Sequence, residues 1–542
     1  MNPRRTKGAL NLSLSYIRTI QNPRPMRTLI LSVILLAHAL QAQTPPDLVW
    51  QRCFGGSASE SARQFIALPD GDRLLVGSTN SNDGDVTGFN GGSYDIWVVR
   101  LDDAGGIIWQ RCLGGSDSDV PGAARVLPNG DFIVVGTTRS NNGHVSGNHG
   151  ANDGWAVRLS GSGSLVWQHC FGGTSGDGFY DATVLPNGDI VAVGTSRSND
   201  GDVALNHGGE DAWAVRFTSL GELVWSRTYG SSAFDVFYSV DQLASGDLIA
   251  LGYASANNGD VSDNHGVEDF WAASIDLEGN IVWQRCYGGS AYEIGTKVSA
   301  LADGGAALLG YTESNDGDVV GQHGNGDAWV VRVNSAGQQM WQRPLGGSAL
   351  DAASGLYALP GDGMLICGRT FSSDGDVDGL PIAGDCWVLQ LLADGSIAWQ
   401  VLLGGSNIDS GTDISPTSDG SLMLLGTTSS NDFDVSGNHG GTDVWLVRLS
   451  PFSSASDVSH PLPLLAFPNP AREVIHLQAP SDWYGTLRVS IFTTDGALAY
   501  SGLVNSNGGA AAIDVSALIA GCYWLVVQAP RGIAHGKMTI VR

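Results

Sequence analysis

Pairs of aspartates separated by one glycine recur along the chain and are its best candidates for binding a metal ion. Two carboxylates on either side of a glycine offer hard oxygen ligands on a backbone that can curl around calcium. Asp, Asn and Gly also form ordinary turns, and one copy reads Asn142-Gly143-His144 instead. Calcium is the one cofactor that the sequence suggests, at four turns: Asp83 and Asp85, Asp200 and Asp202, Asp316 and Asp318, and Asp374 and Asp376.

A second set of acids lies ten residues after each of seven regularly spaced tryptophans. If the repeats close on themselves, these carboxylates should surround one mouth of a central channel, where each repeat starts its innermost strand. They then either accept hydrogen bonds from backbone amides or form a mouth for a cation or a polar ligand. These channel-mouth acids are Glu60, Asp119, Asp177, Asp235, Glu293, Asp351 and Asp409.

A third aspartate stands two residues before each member of a second tryptophan series, and five copies add a histidine four residues earlier. A His–Asp hydrogen bond that locks the preceding loop explains both residues, whereas a zinc site would need further ligands at a spacing the chain does not show. The aspartates are Asp95, Asp153, Asp211, Asp269, Asp327, Asp385 and Asp443, and the histidines are His149, His207, His265, His323 and His439.

Two of the seven cysteines are a candidate disulfide. Cys367 and Cys386 fall on neighbouring predicted strands of one repeat, and an oxidising location would permit a bond between them. Four others share one strand position in different repeats and are expected to be small buried apolar residues.

The polar residues favour a binding or structural module over an enzyme. Catalysis needs one asymmetric set of acid, base or nucleophile, whereas these polar residues recur in every repeat. The candidate ligands are an extracellular glycan or protein, and calcium. The alternative is a secreted glycoside hydrolase that cleaves polysaccharide, whose paired carboxylates the acidic ring would imitate.

The tryptophans reveal the architecture. The first series starts at Trp50 and Trp109 and then recurs every 58 residues to Trp399, and the second runs from Trp97 to Trp445. Periods of this length indicate stacked or radial repeats. Each period reads as four short strands joined by turns, which is the unit of a β-propeller blade.

The two ends of the repeat region indicate how a ring closes. Seven copies of the inner three strands run from about residue 60 to 449, and the segment 47–54 matches the fourth strand without a blade before it. We expect this segment to complete the seventh blade, because closure removes exposed strand edges. The sequence therefore predicts an all-β chain with a seven-bladed propeller over residues 43–450.

A linker over residues 451–465 and a small β-sandwich over residues 466–542 follow the propeller. The sandwich contains a recognisable set of residues: Phe467, Pro468, Asn469, Pro470, Asp495, Gly496, Gly521, Tyr523 and Lys537. In these residues it resembles the A-type C-terminal sorting domain of proteins exported by the type IX secretion system of Bacteroidota. The resemblance implies that the type IX secretion machinery is a partner and that the protein is secreted or held on the outer cell surface. The repeats are similar to those of surface propeller proteins that carry this tail.

The N-terminal residues 1–42 predict a secretory signal peptide with a basic leader. Met26-Arg27 precedes an apolar run over residues 29–37 and small residues at Ala39 and Ala42, as signal cleavage requires. No later stretch approaches the ~20 apolar residues of a membrane-spanning helix, so we expect no transmembrane anchor.

The charge of the chain limits its partners. Lys and Arg number 28 and Asp and Glu 54, a net charge of −26, which repels phosphate backbones. Nucleic acid is therefore not an expected partner, and we expect a monomer that is soluble outside the cell.

Overall fold

The computed structural model describes residues 45–452 and, towards the C-terminus, residues 462–463, 465–467, 471–478, 485–493, 498–506, 510–529 and 532–541. The predicted signal peptide and most of the predicted linker lie outside these ranges. All regular secondary structure in the described residues is β-strand. This confirms the predicted all-β class.

Seven four-stranded antiparallel sheets form the blades, and their strands are seven or eight residues long. Blade 1 contains β2 (Glu60–Ala67), β3 (Arg73–Thr79), β4 (Asp95–Leu101) and β5 (Ile107–Leu113); blade 2 contains β6 (Asp119–Val126), β7 (Phe132–Thr138), β8 (Asp153–Leu159) and β9 (Leu165–Phe171); blade 3 contains β10 (Asp177–Val184), β11 (Ile190–Ser196), β12 (Asp211–Phe217) and β13 (Leu223–Tyr229); blade 4 contains β14 (Asp235–Gln242), β15 (Leu248–Ala254), β16 (Asp269–Ile275) and β17 (Ile281–Tyr287).

The remaining blades repeat this order. Blade 5 contains β18 (Glu293–Ala300), β19 (Ala306–Thr312), β20 (Asp327–Val333) and β21 (Gln339–Leu345); blade 6 contains β22 (Asp351–Ala358), β23 (Met364–Thr370), β24 (Asp385–Leu391) and β25 (Ile397–Leu403); blade 7 contains β26 (Asp409–Pro416), β27 (Leu422–Thr428), β28 (Asp443–Leu449) and the N-terminal strand β1 (Leu48–Phe54). The first strands of neighbouring blades lie side by side around the central axis.

The N-terminal strand closes the ring, as the sequence predicted. Strand β1 pairs antiparallel with β28, from Leu48 opposite Leu449 to Phe54 opposite Val444. The indole Nε1 of Trp445 donates to Gln51 Oε1 at 2.9 Å, so the closure is made by side chains as well as by backbone. The fold is a seven-bladed propeller.

The second tryptophan series forms the core between blades. These seven indoles are at most 2% exposed. Trp213 stacks on Phe179 with ring centroids 4.8 Å apart, and Trp271 stacks in the same way on Phe237 at 4.9 Å. Apolar contact of this kind is the main favourable term in folding, so the repeat of tryptophan is a repeat of core packing.

The C-terminal strands form two sheets around one apolar core. The five-stranded sheet has the order β29-β36-β35-β32-β33, and the three-stranded sheet has the order β30-β31-β34. Ile475 and Ile513 from the small sheet share a core with Val489 and Leu525 from the large one. The strands are β29 (Leu462–Pro463), β30 (Leu465–Phe467), β31 (Val474–Gln478), β32 (Gly485–Thr493), β33 (Leu498–Ser506), β34 (Ala510–Asp514), β35 (Gly521–Ala529) and β36 (Gly532–Ile540).

Deletion of residues 47–54 from the mature chain tests the closure. The truncation leaves one edge of β28 unpaired and Trp445 Nε1 without its acceptor, so we expect the melting temperature to fall by about 5 °C or more. Gln51→Ala is the matched control, because it removes only the side-chain acceptor and should cost far less. A truncated propeller that melts within about 2 °C of the full chain would contradict the closure.

Candidate functional site

Two kinds of loop meet on one face of the ring, which we call the loop face. In blade 1 it comprises residues 80–94, between the second and third strands, and residues 55–59, which lead into the innermost strand. The Asp85 amide donates to the Gly55 carbonyl at 2.8 Å, so each long loop is fastened to the connection between blades. All the polar series of the sequence lie on or under this face.

The aspartates of the Asp-Gly-Asp turns accept hydrogen bonds from backbone amides. Asp200 Oδ1 accepts from the Thr174 amide at 2.7 Å, and Asp202 Oδ2 accepts from the Gly172 amide at 3.3 Å. The equivalent amide bond to the first aspartate is also present in the other three turns and lowers the pKa of Asp83, Asp200, Asp316 and Asp374.

These contacts bear on the calcium hypothesis. In the part of the chain that the structure describes, no three or more His, Cys, Asp or Glu side chains lie together as a metal site. The turns therefore have a visible role as loop caps. Calcium at these turns stays a prediction, and melting of chelator-treated protein with and without millimolar calcium tests it.

The seven channel-mouth acids start the innermost strands but are buried. None is more than 2% exposed. Asp119 is typical: it accepts from the Gly115 amide and the Ser140 hydroxyl, both at 2.8 Å, and from the Thr138 hydroxyl. These donors enclose the carboxylate. These acids thus have a visible hydrogen-bonding role, and none of them lines the channel cavity.

The His–Asp hydrogen bond is present in all five blades that carry the histidine. The distance from Nδ1 to Oδ2 is 2.6 or 2.7 Å in each. The same oxygen also accepts the backbone amide of the histidine. In blade 1, Asn90 takes the place of histidine and makes both bonds to Asp95. These bonds lock the long loops.

The two buried aspartate series come together in carboxylate pairs. In blade 5, a Cβ placed on Gly346 would lie 2.5 Å from Asp351 Oδ2 and 2.8 Å from Asp327 Oδ1, so only glycine fits between them. Asp327 is fully buried, and its Oδ1 has no hydrogen-bond partner. The equivalent Oδ1 is unpartnered in all seven blades: Asp95, Asp153, Asp211, Asp269, Asp327, Asp385 and Asp443.

A buried carboxylate oxygen beside a second carboxylate favours the protonated form. Burial, aided by the charge of Asp177, raises the pKa of Asp153 to about 6 against the opposing effect of His149. Burial and the neighbouring Asp211 likewise raise the pKa of Asp235 to about 6. A proton shared between the two carboxylates of a pair would give the unpartnered Oδ1 a hydrogen bond.

The predicted disulfide is not formed. Cys367 lies opposite Val388, and Cys386 lies opposite Arg369, so the two cysteines are two residues out of register on their paired strands. Both are buried free thiols beside Gly411. The sequence placed them correctly on neighbouring strands but did not reveal the register.

The residues that break the sevenfold repetition line the axial channel. Each innermost strand has a β-bulge at the same place, and the extra residue is not paired with the second strand. Bulges of this kind re-aim side chains. This bulge column consists of Arg63, Gly122, Tyr180, Tyr238, Thr296, Ser354 and Thr412, and all seven residues line one cavity of about 110 Å³.

The position after the bulge is charged in three blades, at Asp181, Lys297 and Asp413, and these residues line the same cavity. Asp181 forms ion pairs with Arg125 at 2.6 Å and Lys297 at 3.3 Å, and it accepts from the Ser239 hydroxyl at 2.8 Å. Burial would raise the pKa of Asp181, but the two cations lower it below the ordinary aspartate value. This network links blades 2, 3, 4 and 5 across the channel.

Asp413 is the second acid of the channel and has a different environment. It accepts the amides of Phe65 at 3.1 Å and Ile414 at 3.0 Å. Burial raises its pKa against the charge of Lys297. Asp413 is therefore the channel acid better able to hold a proton.

The sequence interpretation missed the channel residues. Residue types that recur in every repeat point to the scaffold, whereas the residues at the channel positions differ from copy to copy. An alignment of the seven copies against one another would have found them as the variable column within a strand that is otherwise repeated.

The tail matches a known family model. Residues 465–541 match the secretion system C-terminal sorting domain. They are a type IX sorting domain. The protein is therefore secreted or displayed on the cell surface. The described ranges contain no helix long and apolar enough to cross a bilayer.

The structure places part of the sorting motif. Phe467 ends β30, Gly521 begins β35 and Lys537 lies in β36. Tyr523 is buried, and its hydroxyl donates to the Ile519 carbonyl at 2.8 Å. The other motif residues lie outside the described ranges: Pro468, Asn469, Pro470, Asp495 and Gly496.

The propeller has distant relatives. Regulatory protein FlaEY of Caulobacter vibrioides is 24% identical over 408 residues, which cover 70% of this chain and 40% of the relative. The chain thus spans about two-fifths of that protein. Among solved structures, puromycin hydrolase has a TM-score of 0.40 at 13% identity, covering 81% of this chain and 62% of that one. A quinonprotein alcohol dehydrogenase-like protein of Bacteroides thetaiotaomicron has a TM-score of 0.35 at 10% identity, covering 64% and 66%. Likeness at this level carries no information on function.

The carboxylate pairs predict an unusual pH dependence. Asp153 and Asp235 bind protons more tightly in the folded state, with pKa values of about 6 against the ordinary 3.8. Between these values the folded state holds more protons than the unfolded state, so the free energy of unfolding falls as the pH rises. We expect the melting temperature to be higher at pH 5 than at pH 7.5, by about 2 °C or more.

Thermal melts at constant ionic strength measure this difference. Carboxylates with lowered pKa values, such as Asp181, act only near and below pH 4 and do not contribute between pH 5 and pH 7.5. Asp153→Asn supplies a permanent donor in place of the proton and should reduce the difference. A melting temperature that falls between pH 7.5 and pH 5 would contradict the shared proton.

Deletion of residues 465–541 tests the sorting domain in cells. Without it the exporter has no recognition element, so we expect the propeller to accumulate in the periplasm. Fractionation with an antibody against the propeller measures this, with the full chain as control. Surface display of the truncated protein at the normal level would contradict the assignment.

Proposed function

We propose that the propeller is a binding module for an extracellular polar ligand, with its site in the axial channel and on the loop face around the channel mouth. The observation that carries this proposal is the bulge column. Residues that hold the fold recur in every blade, whereas the residues that the bulges turn into the channel are individual. Where the fold does not require one residue type at a position, the residue at that position is free to contact a ligand.

The chemistry of the channel suits a ligand with hydroxyl groups. Tyr180 and Tyr238 lie 5.1 Å apart between ring centroids and offer an aromatic surface. Among the residues that the structure describes, the guanidinium of Arg63 donates to the carbonyls of Gly122, at 2.7 Å, and of Tyr180, at 2.9 Å. Aromatic faces with a few placed polar groups are typical of small-molecule sites. A glycan is the ligand class that we favour, and a protein side chain is the alternative occupant.

A second candidate function is glycoside hydrolysis, and Asp413 is the observation that favours it. General acid catalysis by a carboxyl group requires a raised pKa, which Asp413 has. Hydrolysis also requires a second, free carboxylate, and Asp181 is held by two cations instead. Binding is therefore the better-supported function. Loss of glycan hydrolysis in Asp413→Asn, with binding retained, would favour the enzyme.

A polysaccharide array probed with the mature full chain tests the proposal. Arg63→Ala should weaken binding of a retained glycan by about tenfold or more, because it removes the cation of the bulge column. Arg111→Ala is the matched control. Arg111 lies on an outer strand, and like Arg63 it donates to backbone carbonyls, here those of Gly163 and Gln110. An equal effect of both substitutions, with unchanged melting, would place the site outside the channel.

A further inference from the structure

A cleft opens on the loop face between blades 2 and 3, beside the channel. Its volume is about 420 Å³, which is within the range of small-molecule sites. Thr137, Asn152, Thr195 and Glu210 form part of its lining. Tyr180 lies in both this cleft and the channel cavity, so the two are continuous.

Two glycines of blade 3 create the cleft. No atom lies within 4 Å of the place where Gly176 would carry a Cβ, and a Cβ on Gly178 would lie 2.4 Å from Thr137 Oγ1. The other blades carry a side chain at both positions. They have Ser59, Ser118, Phe234, Tyr292, Leu350 and Ile408 in place of the first glycine, and Ser61, Val120, Val236, Ile294, Ala352 and Ser410 in place of the second.

Two arginines line this cleft at one equivalent position of adjacent blades. Arg197 is fixed by Glu210, whose Oε2 accepts from its Nε at 2.8 Å. Arg139 is exposed, and within the described residues its guanidinium has no ion pair or hydrogen bond. The equivalent residues of the other blades are not basic: Asn80, Ser255, Glu313, Phe371 and Ser429. The two carboxylates of the lining, Asp177 and Glu210, balance the two arginines in number, but both carboxylates are already engaged in hydrogen bonds.

The remaining donors and acceptors of the cleft are uncharged or already paired. Glu210 Oε1 accepts from the Thr195 hydroxyl at 2.7 Å, so its carboxylate is engaged on both oxygens. Burial, with Tyr238 adding to it, raises the pKa of Tyr180 to about 12, which keeps the phenol neutral. Arg139 is therefore the one charged lining residue that has no partner among the described residues.

We propose that this cleft binds an anionic sugar residue of an extracellular polysaccharide, with the carboxylate of a uronate paired to Arg139. The planar guanidinium matches a carboxylate with two parallel hydrogen bonds. Tyr180 and the hydroxyl and amide side chains of the cleft serve the sugar ring. This inference rests on the binding function proposed above and names its ligand class.

Calorimetric titration of the mature full chain tests the inference with three probes: an oligogalacturonate, its neutral methyl ester and a sulfated oligosaccharide. We expect the oligogalacturonate to bind at least about tenfold more tightly than its ester. A preference for the sulfated probe would assign the anion as sulfate and overturn the uronate. Raising the salt concentration should weaken the charged probe selectively.

Two variants locate the contact. Arg139→Gln should abolish the preference for the acid over its ester, and Arg111→Gln is the matched control that should keep it. Gly178→Val introduces the residue that blades 2 and 4 carry, fills the cleft and should remove binding altogether. Melting curves identify any variant that is misfolded, and Arg139→Gln tests the inference even if Gly178→Val does not fold.

The outcomes separate this inference from the proposed function. If acid and ester bind equally and Arg63→Ala weakens both while Arg139→Gln weakens neither, the channel is a binding site and the anionic cleft is wrong. If none of the three probes binds and the polysaccharide array retains no glycan either, both are wrong.

Discussion

The pairing of β1 with β28 is the constraint on which the rest of the structure depends. It makes the N-terminal strand the fourth strand of blade 7, so the chain that leads into blade 1 is fixed to the last strand of the propeller and the ring is held closed. A ring has one axis, so the bulges of seven innermost strands face one another. Without closure, Arg63 in blade 1 and Asp413 in blade 7 would stand at opposite ends of an open array.

Part of the acidity of the chain is buried inside the blades. Fourteen carboxylates, two in each blade, lie under the loop face and accept hydrogen bonds from the amides and hydroxyls of the loops. Burying a charge is costly unless it is paired, and hydrogen bonds from amides and hydroxyls reduce that cost without a cation. Seven of these carboxylates are the channel-mouth acids, for which the sequence also allowed a mouth for a cation or a polar ligand.

The sequence predicted the fold in detail because the fold is made of recurring residues. The tryptophan period identified the blades, and the unmatched segment at residues 47–54 identified the closure. The loop-locking bond of His207 and Asp211 followed from its repetition at a constant spacing. The repeat period does not give the register of paired strands. It places Cys367 and Cys386 on neighbouring strands, but it does not fix which residues lie opposite each other.

The candidate site was missed for the opposite reason. Residue types such as that of Arg63 and that of Lys297 occur once at their positions among the seven copies, so they do not stand out as a repeated pattern. Only the bulges, which are visible in the structure and not in the composition, show that these single residues share a channel. In a repeat protein, the positions that carry the same residue in every copy form the scaffold. The positions that differ between copies are the candidates for ligand binding.

The location of the protein and its net charge together limit which ligands the propeller can bind. The sorting domain places the propeller outside the cell, where ionic strength reduces the reach of charge to about 8 Å. The overall charge of −26 then repels an acidic polymer only weakly, while a guanidinium within hydrogen-bond distance retains its full attraction. Under the proposed function, selectivity therefore comes from contact at the cleft and not from the overall charge, and the polyanions that are retained are those that present a carboxylate to Arg139.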